Sequence, residues 1–242
     1  MKENKIVVFI LVLVITILLV AGMFYQKMFT SRKEEVKNDT PTEIAQIAIT
    51  PVTKKDHIMG NPDADIVLVE YVDFRCIYCK EFNNTLNRLM EEYGKKGNIA
   101  IVFRHFPTID ALDEEANSIS IKSAIASECV GLLGGESAFW VFVSEVFNAL
   151  QENLNEKSLK DIALNLNIEE EDYNKCLESG QFDSKIQQYI NDGLNIYEID
   201  PNFGTPYSII IPKGGKQITL TGSQPFSIIK QIIEVYAFPS SN

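Results

Sequence analysis

The most constraining stretch of this chain is Ile66-Val67-Leu68-Val69-Glu70-Tyr71-Val72-Asp73-Phe74, a run of strand-forming residues that leads through Arg75 into Cys76-Ile77-Tyr78-Cys79. A turn cluster, Asn61 to Asp65, precedes it, and its β-branched and aromatic content predicts a central strand. Beyond Cys79, the residues Phe82, Leu86, Leu89 and Met90 fall on one helical face. The chain therefore sets a C-x-x-C where a strand ends and a helix begins. The first amides of a helix have no backbone partner and its dipole is positive there, so a thiolate at that point is stabilised. Lowering the pKa of Cys76 enriches the thiolate and makes Cys76 a good leaving group in disulfide exchange. A C-x-x-C alone is equally half a zinc site, but zinc needs two further ligands at short spacing. Cys129 and Cys176 stand singly, and His57 and His105 are the only histidines. The pattern favours redox chemistry, with no metal and no cofactor expected.

The chain has 242 residues, 45% of them hydrophobic, which suits one folded domain. Residues 1–55 carry eight Lys/Arg against five Asp/Glu, and residues 56–242 carry fourteen against twenty-eight. An acidic body without a basic patch argues against nucleic acid as partner. Ile6 to Tyr25 is an apolar run broken only by Thr16 and Gly22, about 30 Å long as a helix. No small-x-small cleavage site follows it, so residues 1–25 are expected to be an uncleaved membrane anchor. Lys27, Arg32, Lys33 and Lys37 behind the run outnumber Lys2 and Lys5 before it. Taken literally, the positive-inside rule puts the body in the cytoplasm. Dithiol chemistry belongs in an oxidising compartment, so the body is expected on the extracytoplasmic side, periplasmic or extracellular. Residues 26–55 are polar and mixed in charge, and are expected to form a stalk with a short ordered piece around Ile44–Ile49.

The stretch from Val69 to Cys79 resembles the active-site segment of DsbA-like thioredoxin-fold proteins, with Glu70 six positions before the first cysteine. Alternation puts Ile66, Leu68, Glu70, Val72 and Phe74 on one strand face, so Glu70 shares a face with core residues. A carboxyl in such surroundings has a raised pKa, which suits a proton acceptor for the second thiol. Two positions depart from the family: Ile77 stands where proline usually follows the first cysteine, and Tyr78 where the strongest oxidases carry histidine. Without that cation, a milder oxidant is expected. Downstream, Gly204-Thr205-Pro206 opens the apolar run Tyr207 to Ile211 and resembles the loop whose cis-proline faces the cysteine pair. The resemblance implies that Thr205, Pro206, Ile77 and Tyr78 contact substrate, and that Cys76, Cys79 and Glu70 are catalytic. Arg104 and His105 match a pair common in the family, and are expected to be structural.

Ile99–Phe103 predicts a further strand, Tyr207–Ile211 and Gln217–Thr221 a hairpin, and Gln224–Ala237 a closing helix. Between about residues 112 and 199, five segments show helical periodicity: Ala116–Cys129, Ser137–Leu150, Ser158–Leu166, Glu170–Glu178 and Phe182–Tyr197. The expected architecture is α/β, a thioredoxin fold over 56–242 with a helical insertion domain, preceded by one N-terminal transmembrane helix. The contexts of Cys129 and Cys176 resemble those of family members in which this pair forms a structural disulfide. Such a bond would close a loop of about 47 residues, stabilising by about 4 kcal/mol in the chain-entropy model. The function implied is thiol–disulfide exchange with cysteine-containing proteins, as an oxidase, with a membrane partner or a small oxidant restoring the active-site bond. The alternatives are a reductase or isomerase, and a non-catalytic holdase whose cysteines are all structural.

Overall fold

The computed structural model describes residues 47–107, 119–149 and 153–238. The span expected at Ile6–Tyr25 lies outside these residues, as do most of the expected stalk and the start of the helix expected at Ala116–Cys129. Five strands form one mixed sheet in the order β1-β3-β2-β4-β5: β1 His57–Gly60, β2 Ile66–Val72, β3 Ile99–His105, β4 Tyr207–Pro212 and β5 Ile218–Thr221. β2 and β3 run parallel, with Glu70 opposite Phe103, while β2 and β4 run antiparallel, with Glu70 opposite Ser208. Parallel neighbours need a crossover, and helix α1, Ile77–Glu92, supplies it. β2 is covered on both faces, which explains its nearly continuous apolar sequence.

On one face of the sheet, Phe82, Leu86 and Leu89 of α1 pack with Ile66, Leu68, Ile101 and Ile210, joined by Ile229 and Ile233 of the C-terminal helix α6, Phe226–Ala237. On the other, Val69, Tyr71, Val102 and Ile209 pack against Phe106, Phe203 and Ile196 of helix α5, Asp183–Ile199. α5 comes this close because Gly193 lies against the Phe106 ring, where a Cβ would sit 2.3 Å from Cε2.

The insert is helical: α2 Ile119–Asn148, α3 Glu156–Asn165, α4 Glu170–Glu178, then α5. The two helices expected at Ala116–Cys129 and Ser137–Leu150 emerge as one run, broken at Gly135, whose φ of 80° is freely open only to glycine. Among the described residues α2 is the helix long and apolar enough to cross a membrane, and it lies mid-chain. Its Val130, Phe139, Phe142, Val143, Val146 and Phe147 are buried with Leu159, Ala163 and Tyr173 in the insert core. Cys129 and Cys176 form a disulfide that joins α2 to α4.

Two features differ from the sequence expectation. β1 is an additional strand, without a local signature because its four residues show no alternation and pair with β3 residues forty or more positions away. The expected polar stalk, 26–55, is part of the body from Ile47 onward: Ile47 is buried, and the Thr50 carbonyl accepts from Arg104 Nη2 at 2.7 Å. Both apolar packing, with Ile47, Ile49 and Val52 against the sheet core, and the hydrogen bond to Arg104 hold the segment down, and neither partner is near it in sequence.

Candidate active site

The turn between β2 and α1 is built by Asp73. Its carboxylate accepts from the Arg75 amide at 2.8 Å, and its carbonyl accepts from the Cys76 amide at 3.1 Å. Cys76 thereby becomes the N-cap of α1, in extended conformation, and Cys79 falls one turn into the helix. Both thiols are free and buried, 7% and 2% exposed, whereas Ile77 and Tyr78 between them are 50% and 59% exposed. The dipeptide is therefore a surface feature, and the sulfurs lie just beneath it.

Thr205-Pro206 is a cis peptide. The loop it belongs to is fastened at both ends: the Asp200 carboxylate accepts from Tyr207 Oη at 2.8 Å and from the Asn202 amide at 3.0 Å, and the Pro206 carbonyl accepts from the Gly222 amide at 2.8 Å. This holds the Thr205 carbonyl 3.1 Å from Cys76 Sγ, where it accepts from the protonated thiol.

The two sulfurs differ sharply in acidity. A hydrogen bond from the Cys79 thiol, aided by the Thr205 side chain and the amides of Cys79 and Tyr78, lowers Cys76 to about 6, against the desolvation of the site. At pH 7 the thiolate then outnumbers the thiol by about ten to one. Burial pushes Cys79 well above the ordinary thiol value, and its hydrogen bond to Cys76 and the charges of Cys76 and Glu70 add to this. Glu70 is 4% exposed, and burial lifts its carboxyl to about 8. A nucleophilic, readily expelled sulfur thus lies in front of a proton-retaining one, with a carboxyl close enough behind it for its charge to act on that thiol. Such an arrangement is competent for disulfide exchange with proton transfer at the second sulfur.

The remaining residues singled out in the sequence lie apart from the sulfurs. Arg104 is fully buried, with Nε donating to Asp56 at 3.1 Å and Nη1 donating to Tyr71 Oη at 3.2 Å. His105 Nε2 donates to Glu128 at 3.2 Å. Cys129 and Cys176 are bonded within the insert. Sequence reasoning missed Asp73, Ser120, whose hydroxyl donates to the Asp73 carboxylate at 2.8 Å, and Asp200. For Asp73 and Asp200 a signal existed, since each is an Asp in a turn, Asp73 just after β2 and Asp200 just after helix α5, where it bonds the amide two residues on. Ser120 carries none, because its partner is 47 positions away. Among the described residues no group of three or more His, Cys, Asp or Glu is placed to hold a metal.

A family model described as Thioredoxin matches residues 52–230. The chain is 25% identical over 194 residues to the probable disulfide bond formation protein D of Bacillus anthracis, covering 77% of this chain and 81% of that protein. It is also 34% identical over 94 residues to Na(+)/H(+) antiporter NhaA 1 of Mycolicibacterium gilvum, covering 39% of this chain but spanning only 14% of the antiporter's length. The oxidised BdbD of Bacillus subtilis superposes with a TM-score of 0.62 at 22% identity, covering 78% of this chain and 96% of that one.

Proposed function

We propose, with this chain belonging to the thioredoxin family as a DsbA-like thiol–disulfide oxidoreductase, that it acts as an oxidase which passes its Cys76–Cys79 bond to cysteine-containing proteins outside the cytoplasm. One observation carries the direction of transfer: Cys76, at about 6, is far more acidic than an ordinary thiol. Stabilising that thiolate stabilises the reduced form, so the disulfide is inclined to give itself away.

The steps balance as follows. A substrate thiolate attacks Cys76 Sγ, the Cys76–Cys79 bond breaks, and its electron pair leaves on Cys79. Cys79 holds protons tightly and takes one from Glu70, which is mostly protonated at neutral pH. The second substrate thiolate then attacks the substrate sulfur of the mixed disulfide and expels Cys76 as thiolate. The substrate is oxidised by two electrons and the enzyme is reduced by two. Half-buried Thr205, with its carbonyl beside Cys76 Sγ, and the cis-Pro206 beneath it form the wall against which a substrate segment lies, and Ile77 and Tyr78 offer apolar contact beside the sulfurs. A disulfide or quinone oxidant, delivered through a membrane partner, restores the active-site bond. The N-terminal apolar run holds the chain at the membrane with its body on the outer side.

Tyr78 in place of a cationic histidine favours a moderate oxidant, and a second role as reductase or isomerase follows if the potential is low enough. The deciding measurement is the reduction potential of the full chain, with mixed disulfides trapped on a Cys79→Ala variant. A value between about −200 and −120 mV, with adducts on Cys76, is expected; one near about −270 mV, typical of thioredoxin, makes the protein a reductase. No adducts, and a Cys76 inert to alkylation, would make it a non-catalytic module.

A further inference from the structure

Ser208 lies on β4 directly opposite Glu70 of β2. Directly opposed residues of an antiparallel pair have Cβ atoms about 4.5–5.5 Å apart, so a glutamate carboxyl is within reach of a serine hydroxyl there. Both side chains are on the α1 side of the sheet, because their two-residue neighbours Leu68 and Ile210 pack with Phe82 and Leu86 of α1. Ser208 is 1% exposed, and its Oγ has no hydrogen-bond partner among the described residues. A buried hydroxyl without a partner costs its full desolvation, so it is retained where something nearby uses it. The groups around Glu70 leave one candidate user. β3 presents Phe103 as the cross-strand neighbour, and α1 presents Cys79, whose proton affinity the Glu70 charge raises. Among the described residues no charged group offsets the burial of Glu70.

We propose that Ser208 is a positioning residue for Glu70, its hydroxyl donating to the carboxylate and accepting from the carboxylic acid as Glu70 exchanges a proton with Cys79. This rests on the reading of Glu70 as the proton carrier for Cys79. A hydrogen bond donated to the carboxylate favours the charged form, so Ser208 keeps Glu70 able to release its proton to Cys79 and to take it back. Without the hydroxyl the carboxyl stays protonated to higher pH. Proton delivery to the departing Cys79 then persists further into alkali, and removal of the proton from Cys79 during reoxidation slows.

The test is single-turnover reduction of the oxidised full-length chain by excess dithiothreitol between pH 6 and 10, for the parent, Ser208→Ala, Glu70→Gln and the double variant. The ionisation of dithiothreitol is common to all four and cancels in rate ratios. The ratio of Ser208→Ala to parent is expected to be one near pH 6 and to rise to about threefold above pH 8, as general-acid delivery outlasts that of the parent. In the Glu70→Gln background the same ratio stays at one throughout. Ser208→Thr, which keeps the hydroxyl, follows the parent profile and serves as the comparison if the alanine variant folds poorly. A flat ratio in the parent background, or an equal rise in the Glu70→Gln background, overturns the role of Ser208. A Glu70→Gln to parent ratio that is itself independent of pH instead removes the proton role of Glu70, and is distinguishable from the first two outcomes.

Discussion

Two regions of the molecule each place a buried glutamate beside a cysteine, and the two glutamates behave in opposite ways. Glu70, 4% exposed, faces Cys79 with no cation among the described residues near enough to offset burial, and it is lifted to about 8. Glu128, 2% exposed, precedes the disulfide-bonded Cys129, and burial would raise it too. There, His57 donates from Nε2 at 3.1 Å, His105 from Nε2 at 3.2 Å and Lys185 from Nζ at 2.7 Å, and the hydrogen bonds and charges of the two histidines hold the carboxyl far below the usual carboxylate range. His57 also donates from Nδ1 to Glu136 at 2.8 Å; with both ring nitrogens donating it is an imidazolium, and its pKa is raised against burial. Burial is common to both sites, so partners alone decide whether a carboxyl is a fixed anion or a proton store.

The contrast is most forcefully broken at Glu128. Replacing it with Gln strips Lys185 of its carboxylate partner, leaves His57 with Glu136 alone and removes the charged acceptor of buried His105, and is expected to destabilise by about 3–5 kcal/mol in chemical unfolding. A loss below about 1 kcal/mol would show that the cluster is decorative. Next in size is the structural cysteine pair. Cys129→Ala with Cys176→Ala opens a loop of separation 47, and should lower stability by about 2–4 kcal/mol. The rate of Cys76 alkylation at pH 6 should stay within about twofold of the parent, and a tenfold fall would mean that the two cysteine centres are coupled.

The smallest effect has the opposite sign. Because Glu70 binds its proton more tightly folded than unfolded, its contribution to stability falls as pH rises from about 4.5 through about 8. Glu70→Gln should therefore stabilise the protein by about 2–3 kcal/mol at pH 7 and do almost nothing near pH 4.5. Glu128 has the reverse sign: its stabilisation is present above about 4.5 and is lost as pH falls from there towards its folded value. Unfolding curves of the two Gln variants that ran parallel with pH would dissolve the distinction between them.

The redox half of this comparison is legible in the sequence. Cys76, Cys79 and Glu70 sit within ten positions on one strand, turn and helix, so local periodicity fixes their relation, and strand alternation alone puts Glu70 among core residues. The break at Gly135 falls in the gap between the two periodic segments Ala116–Cys129 and Ser137–Leu150, so the interruption is legible in the sequence too. The Glu128 centre is not, since its histidines come from β1 and β3, 71 and 23 positions away, and only the assembled fold brings them together. His105 is buried against Glu128, a partner that the sequence does not name. Ser208 shows the same limit: nothing in Tyr207-Ser208-Ile209 reveals which residue of β2 it opposes until the register is known.

Arg104 has a mechanical meaning beyond its role in the core. From one side chain on β3 it grips the Thr50 carbonyl and the Asp56 carboxylate, at the two ends of the segment that enters the body. Tension arriving along the polypeptide from residues before Ile47 reaches this grip before it reaches β1. A four-residue edge strand pulled from its end would open one hydrogen bond at a time, like a zipper. The guanidinium instead presents such a load to several bonds at once and passes it to β3, next to the central strand, so the sheet that aligns the sulfurs is shielded from it.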